Sequence, residues 1–472
     1  MTQTSRTDQD KMKPTETDRR AFLAGTSIGI ASTLLIDQAD GGQVQQASLV
    51  NTPQADDQPT GPMVGHVDAS SARIWFRPGT NQLQDRAWTC RLIHGGSEVA
   101  KQTATTDADH DFTVVFDFDG LKPDSVYSYR IHSANAQPAP KVKQEFRTAP
   151  SASQPAKVVM GLGSCAPSDP NHVWTRVIQE ECDSFVLLGD TPYIDSADLT
   201  VARRKHREFL AQPEISQMIA RMPIWGTWDD HDFGKNDGHG DFPGKHVSRI
   251  AFTEYRANAT FGHAENGMAQ TDRFGSGRGI YTSFRRGPLE VFLLDPRWFS
   301  RTAGSWADKS QPTCLGKQQW EWLKAGLKNS TATFKALATG MIWDDKKNRE
   351  KDDWHTYRHE REEIFKFIKN QRIPGCFLIG GDIHVSRALR YDDRVGYPLW
   401  QFIVSPLHGR TIPSLDVPHP NLIHHAVHPF VFLKLTVDTT VKPAQLKGEW
   451  IDRDGKRVFD VAVTSDMLSP KT

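Results

Sequence analysis

Cysteine is scarce in this 472-residue chain, and no two of its five cysteines form a CxxC pair. The absence of such pairs argues against a structural zinc knuckle. Because the number of cysteines is odd, at least one thiol stays outside any intramolecular disulfide. The chain is long enough to bury a large core without needing disulfides or a structural zinc ion for stability.

An excess of charge of either sign is also missing. The 57 Lys and Arg residues balance the 57 Asp and Glu residues, so the formal net charge is zero. A neutral chain gains no broad attraction to nucleic acid or to an anionic membrane. We therefore expect no nucleic-acid-binding patch, although a locally charged cleft is compatible with this balance.

Long apolar runs are absent too. The one modest apolar stretch, Ala21–Ile36, spans about 15 residues, fewer than the roughly 20 that a membrane-crossing helix needs, and we expect no transmembrane anchor. This stretch follows a polar segment and the pair Arg19-Arg20, an order typical of a bacterial Tat export signal. We predict a Tat-like signal and linker over residues 1–47, the Tat export machinery as a partner, and a periplasmic or secreted location.

Short β-type runs dominate residues 61–149. They alternate in polarity and are rich in β-branched and aromatic residues, and the clearest are SARIWFRP, WTCRLIHG, DFTVVFDFDG and SVYSYRIHS. Turn residues separate these runs at the spacing of roughly 8–12 residues that is typical of a β-sandwich. The pattern predicts a small all-β domain of the fibronectin III or immunoglobulin type.

From residue 157 onward, apolar strands alternate with amphipathic helical segments. KVVMGLGSC, SFVLLGD, GPLEVFLLD, TFKALATGM and GCFLIGGDIH read as buried strands, and GKQQWEWLKAGLKNS and YRHEREEIFKFIKNQ read as helices. Alternation of this kind indicates a layered α/β domain. We place it at residues 157–465, with additional β structure near its end.

Four of the predicted strands end in sulfur, acidic or imidazole residues. The residues at these strand ends are Cys165, Asp190, Asp229, Asp230, Asp382 and His384. In layered α/β folds, ligands bind at the carboxyl ends of the strands. We therefore expect the four ends to converge on one site.

The candidate ligands are of two chemical kinds. Cys165, Tyr193 and His384 offer a thiolate, a phenolate and an imidazole, which together with a carboxylate suit a strongly Lewis-acidic ion such as Fe3+. The remaining candidates offer only oxygen, which suits Ca2+, Mg2+ or Mn2+, and they are Asp190, Asp229, Asp230, Asp382 and Asn236. We predict two unlike metals bridged by Asp190.

Such a metal pair indicates phosphate-ester hydrolysis, in which the metals clamp the phosphate and a metal-activated water attacks in line. His231 is the candidate for stabilising the transition state or protonating the leaving oxygen, and Asp232 is the candidate for orienting it. Arg297 follows another strand end and is a candidate for contacting phosphate oxygens, with an ion pair to Asp295 as the structural alternative.

Six stretches occur in a recognisable order: GSCAP, LGDTPYID, WDDHDFGKND, LDPRWF, DDWHTYRHERE and GGDIHVSRA. With the preceding β-rich segment, they make the sequence resemble the PhoD-like alkaline phosphatases of the metallophosphoesterase superfamily from residue 61 to about 465. The resemblance implies an α/β fold in which a layered β-sandwich core flanked by helices follows a smaller all-β sandwich. It also implies an exported phosphatase that acts on phosphate-ester small molecules or polymers.

The resemblance further implies a ferric ion with calcium. Carried over residue by residue, the iron set is Cys165, Asp190, Tyr193 and His384. The calcium set is Asp190, Asp229 or Asp230, and Asp382. Asn236 stands where the family has a short Asn-bearing stretch, although the residues around it, FGKND, differ from the usual ones.

Other functions are compatible with the same residues. One is a phosphodiesterase of phospholipase D-like type acting on phospholipid or cell-wall polymer, because both ester classes use the same metal pair. Another is a non-catalytic protein that binds a phosphate ligand. A third makes the sandwich an adhesion or polymer-binding module, whereas we expect it to pack on the catalytic domain.

Overall fold

The computed structural model describes residues 58–135, 143–343 and 352–471. The predicted signal and linker, residues 1–47, lie outside this part of the chain. Among the helices of the described residues, none combines the length and the apolar character that crossing a membrane requires.

The first seven strands form the predicted small all-β sandwich. They are β1 (Thr60–Val67), β2 (Ala72–Arg77), β3 (Ala87–His94), β4 (Ser97–Thr105), β5 (Val114–Phe118), β6 (Val126–Ser133) and β7 (Glu145–Arg147). One antiparallel sheet has the order β1-β2-β5 and the other the order β4-β3-β6-β7. In β6 buried and exposed residues alternate, which places Tyr127, Tyr129 and Ile131 in the core between the sheets.

The rest of the chain contributes fifteen strands within the described residues. They are β8 (Lys157–Gly163), β9 (Ser184–Leu188), β10 (Ile224–Thr227), β11 (His263–Ala264), β12 (Gly277–Arg278), β13 (Thr282–Arg286), β14 (Leu289–Leu293), β15 (Phe334–Ala338), β16 (Cys376–Gly380), β17 (Ser386–Tyr391), β18 (Leu399–Ile403), β19 (Leu422–Ala426), β20 (Val431–Asp438), β21 (Gln445–Asp452) and β22 (Arg457–Thr464).

Seven α-helices accompany these strands in the described residues. They are α1 (Val173–Gln179), α2 (Leu199–Leu210), α3 (Pro213–Ile219), α4 (Asp230–Phe233), α5 (Lys245–Tyr255), α6 (Gly316–Asn329) and α7 (Arg358–Asn370). Helices α2 and α3 follow each other closely and are separated at Pro213, because proline lacks an N–H and is tolerated only in the first turn of a helix.

Two mixed sheets form the layered core. One has the order β10-β9-β8-β20-β21-β22, and the other has the order β13-β14-β15-β16-β18-β17-β19. Strands β8, β9 and β10 run parallel in the first sheet, as do β14, β15, β16 and β18 in the second. A large apolar cluster that includes Met160, Val291 and Phe402 lies between the sheets. The layered α/β core and the preceding all-β sandwich confirm the predicted fold class.

The sandwich packs against the layered core, as expected. Met63 and Trp75 share an apolar cluster with Trp174, Phe185 and Tyr255. The Trp75 indole Nε1 donates to the Glu254 carbonyl oxygen (2.7 Å) at the end of α5. The two parts belong to one compact unit, so the proposed boundaries at 61–149 and 157–465 stay a prediction.

Gly65 marks the closest contact between the two parts. A Cβ atom at position 65 would lie 2.3 Å from the Ala257 Cβ and 2.6 Å from its carbonyl oxygen. That carbonyl accepts a hydrogen bond from the His66 backbone N–H (2.7 Å), so the backbone cannot simply move away.

We expect Gly65→Ala to destabilise the protein by about 1–3 kcal/mol, the usual range for overpacking. Adding Ala257→Gly should restore part of the loss, because it removes one of the two clashing atoms and leaves the carbonyl. Urea unfolding of the two single variants and the double variant measures this coupling. Strictly additive single-variant effects would contradict the proposed contact.

Candidate metal centre

The predicted strand ends meet at one edge of the two sheets. Cys165 follows β8, Asp190 follows β9 and Asp229 follows β10, while Asp382 and His384 follow β16. Because β8, β9 and β10 are parallel, their carboxyl ends face the same edge. The second sheet brings the end of β16 to these residues, so the expected convergence of the strand ends is what the fold produces.

One side of the site combines sulfur, oxygen and nitrogen. Cys165, Asp190 and His384 each offer one ligand atom, and the three atoms lie within 4.8 Å of one another. The Cys165 Sγ is 3.6 Å from the Asp190 Oδ2. The Tyr193 Oη lies 3.0 Å from the His384 Nε2, which brings the phenol to the same side.

The other side of the site is acidic. Asp229, Asp230 and Asp382 form a second group with oxygens within 4.8 Å of one another, and Asp190 forms a third with Asp230 and His231. The Asp190 Oδ1 accepts the His231 backbone N–H (3.3 Å), whereas its Oδ2 faces Cys165. Asp190 therefore has one oxygen towards each side.

Strained backbone accompanies these positions. Cys165, Asp190, Asp382 and His384 have φ values of 62°, 54°, 65° and 52°, in the left-handed region that side chains other than glycine rarely adopt. Such conformations are unfavourable locally and cluster at functional sites, where the surrounding structure enforces them. Here the tight turns aim four side chains into one space.

Glycines allow the close approach of Asp229. A Cβ atom at Gly189, whose φ is 101°, would lie 2.5 Å from the Asp229 backbone nitrogen. A Cβ atom at Gly340 would lie 2.5 Å from the Asp229 Cγ. Asp229 therefore lies between two glycines, Gly189 after β9 and Gly340 after β15, where a larger residue would clash with it.

The carboxylates of the acidic side are clustered in a poorly solvated place, which favours binding of cations. Burial raises the pKa values of Asp190, Asp229 and Asp382, and the charges of neighbouring carboxylates raise them further. The buried Asp229 Oδ2 has no hydrogen-bond partner among the described residues. Buried carboxylates are stable as anions only when paired, so this donor set fits bound metal ions.

Arg297 occupies a different position from the one expected. Its guanidinium donates to the carboxylates of Asp229 (Nε, 2.6 Å) and Asp352, and to the Gly238 carbonyl oxygen (3.1 Å). The expected ion pair with Asp295 is wrong, because the Asp295 Oδ1 instead accepts the Arg297 backbone N–H (3.0 Å) and the Trp228 indole N–H (2.7 Å). The buried guanidinium is enclosed by acidic partners.

Asp232 does not orient His231, contrary to the prediction. Its Oδ1 accepts the Asp229 backbone N–H (2.5 Å) and its Oδ2 accepts that of Thr191 (3.4 Å), so it joins the two ligand-bearing turns. The His231 Nδ1 lies 2.5 Å from the Asp195 Oδ1 instead. Burial lowers the pKa of His231, but Asp190 and the hydrogen bond to Asp195 outweigh it and raise the value to about 11.

Two acidic residues near the site, Asp237 and Asp352, were not among the predicted residues. Asn236 is exposed, whereas the neighbouring Asp237 forms a fourth acidic group with Asp230 and Asp352. The Asp237 backbone N–H also donates to the Asp230 Oδ2 (2.7 Å). Both missed residues lie in the quoted motifs, Asp237 in WDDHDFGKND and Asp352 in DDWHTYRHERE.

A fifth strand end also reaches the site. Ser405, after β18, donates from Oγ to the Cys165 Sγ (3.2 Å) and accepts the His384 backbone N–H (3.0 Å). His408 follows three residues later, with its Nε2 3.4 Å from the Tyr193 Oη. The signal was an apolar strand, LWQFIV, followed by Ser and His, the pattern that identified the other four ends.

Two protein-family models match this chain. A family model described as "PhoD-like phosphatase" matches residues 162–428, more than half of the chain. A second model, described as "Domain of unknown function (DUF7800)", matches residues 58–151, the small sandwich.

Individual proteins agree with the family match. The chain is 25% identical to "Alkaline phosphatase D" of Bacillus subtilis (strain 168), over 79% of this chain and 72% of that protein. A solved "Structure of PhoD" superposes with a TM-score of 0.66 at 17% identity, over 84% of this chain and 91% of the other. A purple acid phosphatase from yellow lupin (Lupinus luteus) seeds superposes with a TM-score of 0.62 at 13% identity, over 88% and 77% of the two chains.

We expect Arg297→Met to destabilise the apoprotein by about 3–5 kcal/mol, because it leaves two buried carboxylates without their counter-charge. Urea unfolding in the presence of a chelator measures the loss. Arg285→Met is the matched control, since Arg285 is half-buried on β13 and donates to Thr331 and Gly287. A loss for Arg297→Met no larger than that of the control would contradict the role of Arg297 as the buried counter-charge.

Proposed function

This chain belongs to the PhoD-like phosphatase family and is a phosphoric ester hydrolase; from that premise we propose that Asp190 bridges Fe3+ and Ca2+ in its active site. The observation that carries the proposal is the placement of Asp190. One of its oxygens lies 3.6 Å from the Cys165 sulfur. The other accepts the His231 backbone N–H, and Asp190 forms a group of possible ligands with His231 and Asp230.

The ferric ion is assigned to the Cys165 side. Its ligands would be the thiolate of Cys165, a carboxylate oxygen of Asp190, the phenolate of Tyr193 and the imidazole of His384. Thiolate and phenolate are anionic donors that stabilise a strongly Lewis-acidic ion. In the metal-free protein, burial and the charges of neighbouring groups such as Asp190 raise the pKa values of Cys165 and Tyr193, so their deprotonation depends on the cation.

Calcium is assigned to the acidic side. Its ligands would be Asp190, Asp382, and Asp229 or Asp230, with Mg2+ or Mn2+ as alternative ions. The Arg297 ion pair engages the Asp229 Oδ1 and leaves its Oδ2 without a hydrogen-bond partner among the described residues. Both Asp230 oxygens accept backbone N–H groups, so the Asp229 Oδ2 is the freer donor. Asn236 stays a prediction as a further ligand, and the group of Asp230, Asp237 and Asp352 lies beside this set.

When bound, the metal pair would supply Lewis acidity at the phosphoryl oxygens and would activate water as a nucleophile at moderate pH. His231 lies next to Asp190, and its ring centroid is 4.6 Å from that of Tyr193. With Nδ1 engaged by Asp195, Nε2 is the ring nitrogen that remains for a substrate oxygen. His231 thus stabilises the transition state or protonates the leaving oxygen.

Export is the proposed setting of this reaction. The charged region, Arg19-Arg20 and the weakly apolar segment after them are the support for Tat-dependent export to the periplasm or the exterior. The proposed substrates are phosphate-ester small molecules or polymers. The small sandwich at 61–149 is proposed as a support that packs on the catalytic domain at 157–465.

The function is tested by hydrolysis of p-nitrophenyl phosphate and bis-p-nitrophenyl phosphate by the protein loaded with iron and calcium. We expect turnover and a purple or brown colour from phenolate-to-iron charge transfer. Asp190→Asn should abolish turnover and lose both metals, because one bridging oxygen pair serves both ions. Asp241→Asn, at an exposed aspartate, is the control.

Each result separates the alternatives. Preferential cleavage of the diester would favour a phosphodiesterase acting on phospholipid or cell-wall polymer. No cleavage of either ester would favour a non-catalytic phosphate-binding protein. A colourless, iron-free preparation with full activity would overturn the ferric assignment.

Asp195→Asn should lower kcat by roughly 10- to 100-fold for phenyl phosphate, in the range by which loss of an orienting partner weakens a site. The loss for p-nitrophenyl phosphate should be smaller, because its leaving group needs no proton. Metal content should be unchanged, and Asp198→Asn, at the N-terminus of α2, is the control. Equal losses for both substrates would contradict a role in orienting the proton donor.

A further inference from the structure

His408 lies at the same edge of the sheets as the proposed metal ligands, although it belongs to none of the six quoted stretches. Its Nε2 is 3.4 Å from the Tyr193 Oη. Its ring centroid is 4.6 Å from that of His384, with the two rings nearly perpendicular at 81°. The residue is 7% exposed, so it is buried beside these two rings and does not lie on the outer surface.

The backbone holds His408 firmly. The carbonyl oxygen of His408 accepts the Phe430 N–H (3.0 Å), and the preceding Leu407 N–H donates to the Ser164 carbonyl oxygen (3.0 Å). Ser164 directly precedes Cys165. The imidazole is therefore attached to the same strand ends that carry the proposed ligands.

A hydrogen bond determines which ring nitrogen carries the proton. The Arg410 backbone N–H donates to the His408 Nδ1 (2.9 Å), so Nδ1 must present its lone pair there. In a neutral imidazole the proton then resides on Nε2. A metal ligand needs a free lone pair on the nitrogen that faces the ion, so His408 is a hydrogen-bond donor towards the site and not a ligand.

A phosphate group entering this site needs donors. The guanidinium expected to supply them, Arg297, is directed to Asp229, Asp352 and the Gly238 carbonyl. The Tyr193 ring has the His231 ring beside it at 4.6 Å and the His408 ring at 6.1 Å. The two imidazoles can therefore supply N–H groups where the carboxylates supply none.

We propose that His408 is a substrate-binding residue whose Nε2–H donates a hydrogen bond to a non-bridging oxygen of the phosphate group. This inference rests on the proposed phosphatase function of the same site. It assigns binding of the phosphate to His408 and leaves proton transfer to the leaving group with His231.

The test uses the metal-loaded full chain and three variants. His408→Ala should raise both the KM for p-nitrophenyl phosphate and the inhibition constant of inorganic phosphate about tenfold, as expected for the loss of one hydrogen bond to a charged oxygen. His408→Gln places an amide N–H near the position of Nε2 and should change both constants less than about threefold. His424→Ala, at an exposed histidine on β19, is the matched control.

Iron and calcium contents distinguish a phosphate-binding His408 from a metal-ligating His408. Unchanged metal content in His408→Ala, together with the two shifts and their rescue by Gln, supports the proposal. Loss of iron would make His408 a ligand and would overturn it, as would a raised KM with an unchanged phosphate inhibition constant. If the wild-type protein cleaves no ester, the proposed function itself fails; if it cleaves normally and His408→Ala matches it, only this inference fails.

Discussion

Buried negative charge at one edge of two sheets is the constraint on which the rest of this structure depends. Asp190, Asp229 and Asp230 are buried, and the half-buried Asp382 lies with them. Carboxylates in such a place repel one another and lose their hydration, so they must be protonated, paired or bound to cations. Arg297 supplies one fixed counter-charge through Asp229 and Asp352. The remaining carboxylates make this edge of the sheets a candidate site for metal ions.

The scaffold around the acidic cluster is arranged to hold these groups against that repulsion. Asp232 joins the turns that carry Asp190 and Asp229 through their backbone N–H groups. Arg256 donates to the Thr191 carbonyl oxygen beside Asp190, and it follows directly on α5. The end of α5 accepts the indole N–H of Trp75 from the small sandwich. Contacts therefore continue from the sandwich to the turn that carries Asp190.

Strands and strand ends could be predicted from the sequence, whereas the partners of some buried side chains could not. The alternating runs such as SVYSYRIHS became β6 and its neighbours, because period-two polarity is a local property that any half-buried strand shares. The strand ends carrying Cys165, Asp190 and His384 were expected to meet, and they do. Cys165 and Asp190 follow neighbouring parallel strands that share an edge, and the second sheet brings the end of β16 to them. The roles of Arg297 and Asp232 were misjudged, because their partners, Asp352 and Thr191, are chosen by turn geometry and not by spacing along the chain.

The sequence by itself determined the fold class and the kinds of candidate ligand atoms, because hydrophobic periodicity and residue chemistry are local properties of the chain. Only the tertiary structure decided that Asp190 presents one oxygen to the Cys165 sulfur and the other to the His231 backbone N–H. It also decided that Asp195 contacts His231 and that His408 presents its Nε2 beside Tyr193. The contact of Asp195 with His231 joins residues 36 positions apart, and the contact of Tyr193 with His408 joins residues 215 positions apart. Contacts over such separations depend on the turns that follow the strands, including the left-handed residues there, and no local sequence pattern encodes them.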